Sequence, residues 1–152
     1  MTAIQTETLA NLYLDDETAW LERMAEVVQF RNVDALDFEN LSEYLSDMAK
    51  RDRREVESRL AVLTAHLLKW THQPDRRTGS WRSTIEVQRH ELELLLQSRT
   101  LRNHAEDKLE SSYVAAVRQA ASDTGLSIGQ FPADCPFTID NLITLDELES
   151  KD

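Results

Sequence analysis

Residues 37–73 read DFENLSEYLSDMAKRDRREVESRLAVLTAHLLKWTHQ, thirty-seven consecutive residues without glycine or proline. Leu41, Leu45, Met48, Val56, Leu60, Leu63, Leu67 and Trp70 recur in it at steps of three and four, the spacing of one helical face. The stripe is interrupted once, at Asp52, where a buried residue is expected. Either the helix kinks there or that turn lies beyond the core. At about 1.5 Å per residue a continuous helix would span roughly 50–55 Å. That is longer than a compact domain of this size is wide, so the helix must bend, break or extend its end into a partner. Pro74 ends it, because the residue before a proline is pushed out of helical geometry.

Working outward, Pro74 to Ser80 reads as a loop, with Ser80 as the expected N-cap of the next helix. That helix is predicted from Trp81 to about Arg99, with Trp81, Ile85, Leu92, Leu95 and Leu96 on its stripe and Gln88 the polar exception. A further helix is predicted from about Leu101 to Asp123. Its buried face carries Leu101, Ala105, Leu109, Tyr113, Ala116, Val117 and Ala120, and its alanines permit close packing. Gly125 is the natural stop. Upstream, Trp20, Leu21, Met24, Val27 and Val28 define a helix from Asp16 to about Phe30, with acidic residues at its N-terminus where the helix dipole favours them. Beyond Gly125 the chain reads as irregular to Phe137, with Phe131, Cys135 and Phe137 placed to pin it onto the helices. A last short helix is predicted near 138–148, where Thr144 to Glu147 resembles a capping box. The expectation is an all-α, single-domain helical bundle over 1–152, with four main helices, a long second helix and an irregular C-terminal segment. The second and third helices form an antiparallel hairpin, the first and fourth pack across them, and about 1–12 and 149–152 are expected to be disordered.

Composition narrows the function classes. The chain has 152 residues, three Gly, three Pro and one Cys, which disfavours a turn-rich β fold, a disulfide framework and a cysteine-rich zinc module. No apolar run approaches the roughly 20 residues of a membrane helix, and the first residues lack the pattern of a signal peptide. The expected setting is therefore cytoplasmic, without a membrane. The net charge of −11 argues against a general nucleic-acid binder. Charge is unevenly spread: residues 1–49 carry a net −9, residues 50–102 a net +5 and residues 103–152 a net −7. The acidic ends either pair with the basic middle, or the middle binds an anion or an acidic partner.

The chemistry-bearing motifs are sparse. The three glycines stand apart, so there is no phosphate-cradling loop. Cys135 sits between Asp134 and Pro136, a setting that raises a thiol pKa instead of activating it. Neither Glu-x-x-His copy of a helical di-iron site is present. Glu39/Glu43 and Glu86/His90 share helix faces by spacing, as exposed pairs do by chance, so no metal and no cofactor are assigned. The run Lys50 to Arg54 is explained by i, i+4 pairs: Asp47–Arg51, Arg51–Glu55, Arg53–Glu57 and Glu55–Arg59. The second basic cluster is less well paired. Arg76, Arg77, Arg82 and Arg89 lie around Trp70 and Trp81, with His66, Gln73 and Gln88 nearby. Such a corner can clamp an anion at a helix N-terminus. It can equally stack Arg on Trp and fasten the hairpin by bonding helix-end carbonyls.

That corner carries a resemblance. His66-Leu67-Leu68-Lys69-Trp70-x-x-Gln73-Pro74-x-x-Arg77-x-x-Ser80-Trp81-Arg82-x-x-Ile85-x-x-Gln88-Arg89 resembles the signature of a bacterial family, domain of unknown function 29. Asp37-Phe38-Glu39-Asn40-Leu41, Glu57-Ser58-Arg59-Leu60, Thr124-Gly125-Leu126, Phe131-Pro132 and Cys135-Pro136 resemble it in order. Tyr44 and Ser46 depart from it, standing where the family is richer in Glu, which thins a carboxylate-cluster metal site. The resemblance implies a small, stand-alone, all-helical bacterial protein and brings no activity or catalytic residue. Three functional readings follow. The first is a non-enzymatic interaction or accessory protein with a protein partner, self-associating as a homodimer through its over-long helix. The second is an anion, phosphate or nucleic-acid binder at the 70–89 corner. The third, ranked last, is an enzyme, for which no catalytic residue is nominated.

Overall fold

The structure, a computed structural model, describes residues 2–144, with side chains from residue 9 onward. Every regular element among these residues is helical. They are α1 (Thr2–Asp15), α2 (Glu17–Gln29), α3 (Phe38–His72), α4 (Gly79–Leu95), α5 (Arg99–Thr124) and α6 (Ile139–Thr144). Single 3₁₀ turns fall at Val33–Ala35, Pro74–Arg76 and Ile128–Gln130. The four main helices anticipated from periodicity are α2 to α5, so the all-α fold stands. α1 occupies residues where no element was expected; Leu9, Leu12 and Tyr13 give it an apolar edge at i, i+3 and i+4, and Leu9 is buried. The expectations for 149–152 and for a capping box at 144–147 reach beyond the described residues.

α3 settles the question raised by Asp52. It is one unbroken helix of 35 residues, and every side chain from Ala49 to Arg54 is exposed. The interruption marks a turn with no core against it. Contacts within the chain divide into two compact units, residues 1–50 and 51–152.

In the first unit, Asp16 caps α2 by accepting the Ala19 N–H at 3.1 Å. α2 ends with Arg31 in the left-handed region at φ 52. There the Asn32 N–H bonds the Val27 carbonyl and the Arg31 N–H bonds that of Val28, a double closure of the last turn. The core gathers on Trp20, which is fully buried with Met24, Val27 and Leu9, and Leu41 and Tyr44 of α3 pack on it. Tyr13 meets Trp20 edge-on at 4.7 Å between ring centres. The Trp20 indole Nε1–H donates to Asp37 at 3.1 Å, and Asp37 also accepts from the Asn40 side chain at 2.8 Å and caps the start of α3. Two expected core positions are corrected. Leu45 of α3 and Val28 of α2 are 60% and 56% exposed, because a helical stripe wider than its neighbour leaves an uncovered edge.

In the second unit α3 and α4 form the antiparallel hairpin. Arg59 of α3 donates to Gln88 of α4 at 3.1 Å. Val56, Leu60, Leu63 and Leu67 interleave with Ile85, Leu92 and Leu96, and Ala105 of α5 and Ile139 and Leu142 of α6 complete this core. Each large side chain buried there contributes about 1.5–3 kcal/mol. A second cluster joins Ala65 and Leu68 to Tyr113, Ala116, Val117 and Ala120 of α5 and to Phe131. Phe131 does pin the C-terminal segment, as the alternation suggested, and Tyr113 Oη–H holds it by donating to the Pro132 carbonyl. Gly125 closes α5 at φ 75, its N–H bonding Ala121 O, a conformation that suits glycine. α6 opens with a reciprocal capping pair, Thr138 with Asn141, both bonds 3.1 Å.

Candidate functional site

The elbow between α3 and α4 gathers Trp70, Arg77 and Trp81 of the predicted corner, and its geometry starts from Pro74. In an α-helix the Trp70 carbonyl would accept the N–H of residue 74. Proline has none, so that carbonyl needs another donor. Gln73 leaves the helix at φ −129, ψ 59, and Pro74–Arg76 makes one 3₁₀ turn. Arg77, extended at φ −60, ψ 131, returns toward the helix end. Its Nε–H donates to Trp70 O at 2.9 Å, and its guanidinium carbon lies 4.7 Å from the Trp70 ring centre. One arginine thus satisfies the orphaned carbonyl and stacks on the indole of the same residue. Thr78 then caps α4, accepting the Trp81 N–H at 3.1 Å. Ser80, the expected cap, lies inside the first turn.

Behind this bend lies a pair that the sequence reading did not nominate. Lys69 is buried, with its ammonium 3.1 Å from Asp123 of α5 and 5.1 Å from the Trp81 ring centre. Gln119 donates to the other oxygen of Asp123 at 2.8 Å. Burial works to raise the Asp123 pKa, but the Lys69 and Gln119 hydrogen bonds and the Lys69 charge outweigh it and hold the carboxyl below its usual value. The partners are 54 residues apart in sequence. The available signal was a lysine between Leu68 and Trp70, on the flank of an apolar stripe where only a paired ammonium is stable.

The remaining predicted residues are dispersed. His66 is half-buried, and its Nδ1–H donates to the Val62 carbonyl at 2.9 Å. Burial lowers its pKa, and the Lys69 charge adds to that. Gln88 accepts from Arg59, and Gln73 is half-buried with its backbone N–H on Lys69 O. Arg82 is exposed and 3.7 Å from Glu86, an i, i+4 pair, and Arg76 is exposed. Arg89 is half-buried on α4. The cations nearest the two indoles, Lys69 and Arg77, therefore point into the elbow. Cys135 donates to Phe137 O at 3.4 Å, and burial pushes its thiol pKa up, so it stays protonated at neutral pH and is a weak nucleophile.

The basic run of α3 is corrected as well. Of the four expected pairs only Glu55–Arg59 forms, at 2.9 Å. Glu57 instead meets His104 of α5 at 3.1 Å. Exposed pairs contribute too little to hold long side chains together, so Arg51, Arg53 and Arg54 extend into solvent. Among the described residues no group of three or more His, Cys, Asp or Glu could hold a metal ion, and no helix is long and apolar enough to cross a membrane.

The geometry can be set beside known proteins. The family model described as domain of unknown function DUF29 matches residues 12–147. No curated protein and no solved structure matches.

Proposed function

The chain belongs to the family of domain of unknown function DUF29, and we propose that it works as a non-enzymatic helical interaction protein. Its contacts are made by the apolar side chains that the first unit leaves uncovered. The observation that carries this reading is how the surface is divided. Phe30, Phe38 and Leu45 are 73%, 61% and 60% exposed, joined by Leu14, Val28 and Val33 in the same fifty residues. Among the described residues the longer second unit exposes only Val87, Leu94, Val114 and Ile128 to a like degree, and this higher density on the small first unit favours it as the partner surface. The elbow, by contrast, spends its two inner cations on its own carbonyl, carboxylate and indoles, which disfavours anion capture there.

The test is site-directed photocrosslinking of the full chain in cells that make it. A photoreactive phenylalanine analogue at position 38 is expected to give discrete protein adducts, and the same probe at position 82 none. Adducts at 82 alone, or nucleic acid in place of protein, would overturn the reading.

A further inference from the structure

We propose that the outer face of α3 from Phe38 to Lys50 is the seam of a homodimer, across which the same segment of a second copy packs antiparallel. The inference rests on the interaction reading above and names its partner.

Phe38, Ser42, Leu45 and Ala49 are spaced by four, three and four, which places them along one side of α3. All four are exposed, whereas Leu41 and Tyr44 of the same turns pack on the Trp20 core. Glu43, which accepts the Tyr13 hydroxyl at 3.2 Å, and Asp47 lie around the helix from this stripe. The stripe is therefore the edge of the α3 apolar face that the Trp20 core leaves uncovered.

Two features select a second copy, running in the opposite direction. The first is shape, since the stripe alternates large, small, large, small. An antiparallel two-fold midway between Ser42 and Leu45 sets Phe38 against Ala49 of the partner subunit and Leu45 against Ser42 of the partner subunit. Each bulky side chain then meets a small one and the backbones can approach closely. A parallel pair would stack Phe38 on its twin and Leu45 on its twin. The second is charge. Glu39 and Lys50 are eleven residues apart, about three turns, and lie on the same flank of the stripe. Antiparallel pairing brings Glu39 near Lys50 of the partner subunit, twice by symmetry, while parallel pairing puts this flank of the two copies on opposite sides of the seam, where neither charge finds a partner. The stripe is its own complement in both respects. The seam covers only about 20 Å of helix, thirteen residues at about 1.5 Å each, so the dimer is weak and reversible.

Sedimentation velocity of the full chain tests this, from about 10 to about 500 μM, the range in which a weak dimer changes population. A monomer–dimer equilibrium is expected. Leu45→Glu, at an exposed site that leaves the fold intact by circular dichroism, should weaken it more than about tenfold, since it buries a charge in the seam. Glu39→Lys and Lys50→Glu should each weaken it about fivefold, and the double variant should restore it, because two exposed ion pairs are reversed and then re-formed. A dimer indifferent to Leu45→Glu overturns the seam, and single variants without effect or without rescue overturn the antiparallel register. A chain monomeric throughout, with position-38 adducts to a different protein, overturns this inference and leaves the interaction reading standing. A monomer without adducts removes both.

Discussion

Removing the Arg77 side chain separates a fastener from a binding site. In Arg77→Ala the Trp70 carbonyl loses its donor, and Pro74 has no N–H to replace it. A hydrogen bond from a charged donor is worth about 1.5–3 kcal/mol, and the guanidinium–indole stack about 0.5–1 kcal/mol. The site is half-buried, so water recovers part of the first contribution, and the expected loss is about 2 kcal/mol. With a urea slope of about 2 kcal/mol per M for a chain of this size, the midpoint falls by about 1 M. Arg77→Lys should lose more than half as much, because an ammonium offers neither the Nε–H geometry nor the planar stack. The cause can be isolated through Pro74→Ala, which returns an N–H to position 74. In that background Arg77→Ala should cost about 1 kcal/mol less, a coupling in the usual range for groups sharing one acceptor. The assay is urea unfolding followed by far-ultraviolet circular dichroism and by indole fluorescence, since Trp70 and Trp81 both border the bend. A midpoint shift below about 0.2 M would refute the fastener, on the same slope. So would phosphate that stabilises the parent chain but not Arg77→Ala, which is the signature of an anion clamp.

Asp37→Ala removes the acceptor of the buried Trp20 indole and the cap of α3 together; a loss of about 2–4 kcal/mol in urea unfolding is expected. Asp37→Asn, which keeps an amide oxygen there, should cost clearly less, and equal losses would refute the assignment. His66 sets a pH dependence. Its pKa in the fold lies below the ordinary 6.5, so the unfolded chain takes the proton first as pH falls. The stability it contributes is full above about pH 6.5 and drains away below it. Urea unfolding at about pH 7.5 and about pH 5 should show that decline, and His66→Gln should flatten it; an unchanged slope would refute the role. Thr64 buries a hydroxyl for which the described residues offer no partner. Thr64→Val should therefore raise stability by about 1 kcal/mol, and a loss in thermal unfolding would show that the hydroxyl is bonded.

How far the sequence could be read depends on the range of the force involved. Helix existence is a local property: a run without glycine or proline and with apolar residues every three or four positions has few alternatives, and α2 to α5 followed from it. What a helical face touches is not local. Leu45 and Leu60 occupy equivalent places in the pattern of α3, yet one is exposed and the other wholly buried. The same limit hid the Lys69–Asp123 pair, whose members meet only when α5 closes on α3. Arg77 was legible as a helix-end donor because its cause, a proline four residues after Trp70, is written in the chain. The Phe38–Lys50 stripe belongs to the intermediate case. Its spacing was visible, but its meaning depended on a burial pattern showing that the adjoining part of the same face, Leu41 and Tyr44, already serves the core. A helix whose apolar stripe is wider than the surface covering it exposes hydrophobic area at a cost of about 25 cal/mol per Å² relative to burial. A second surface closing over Phe38 and Leu45 would recover that cost, and this is the physical basis on which the proposed seam stands or falls.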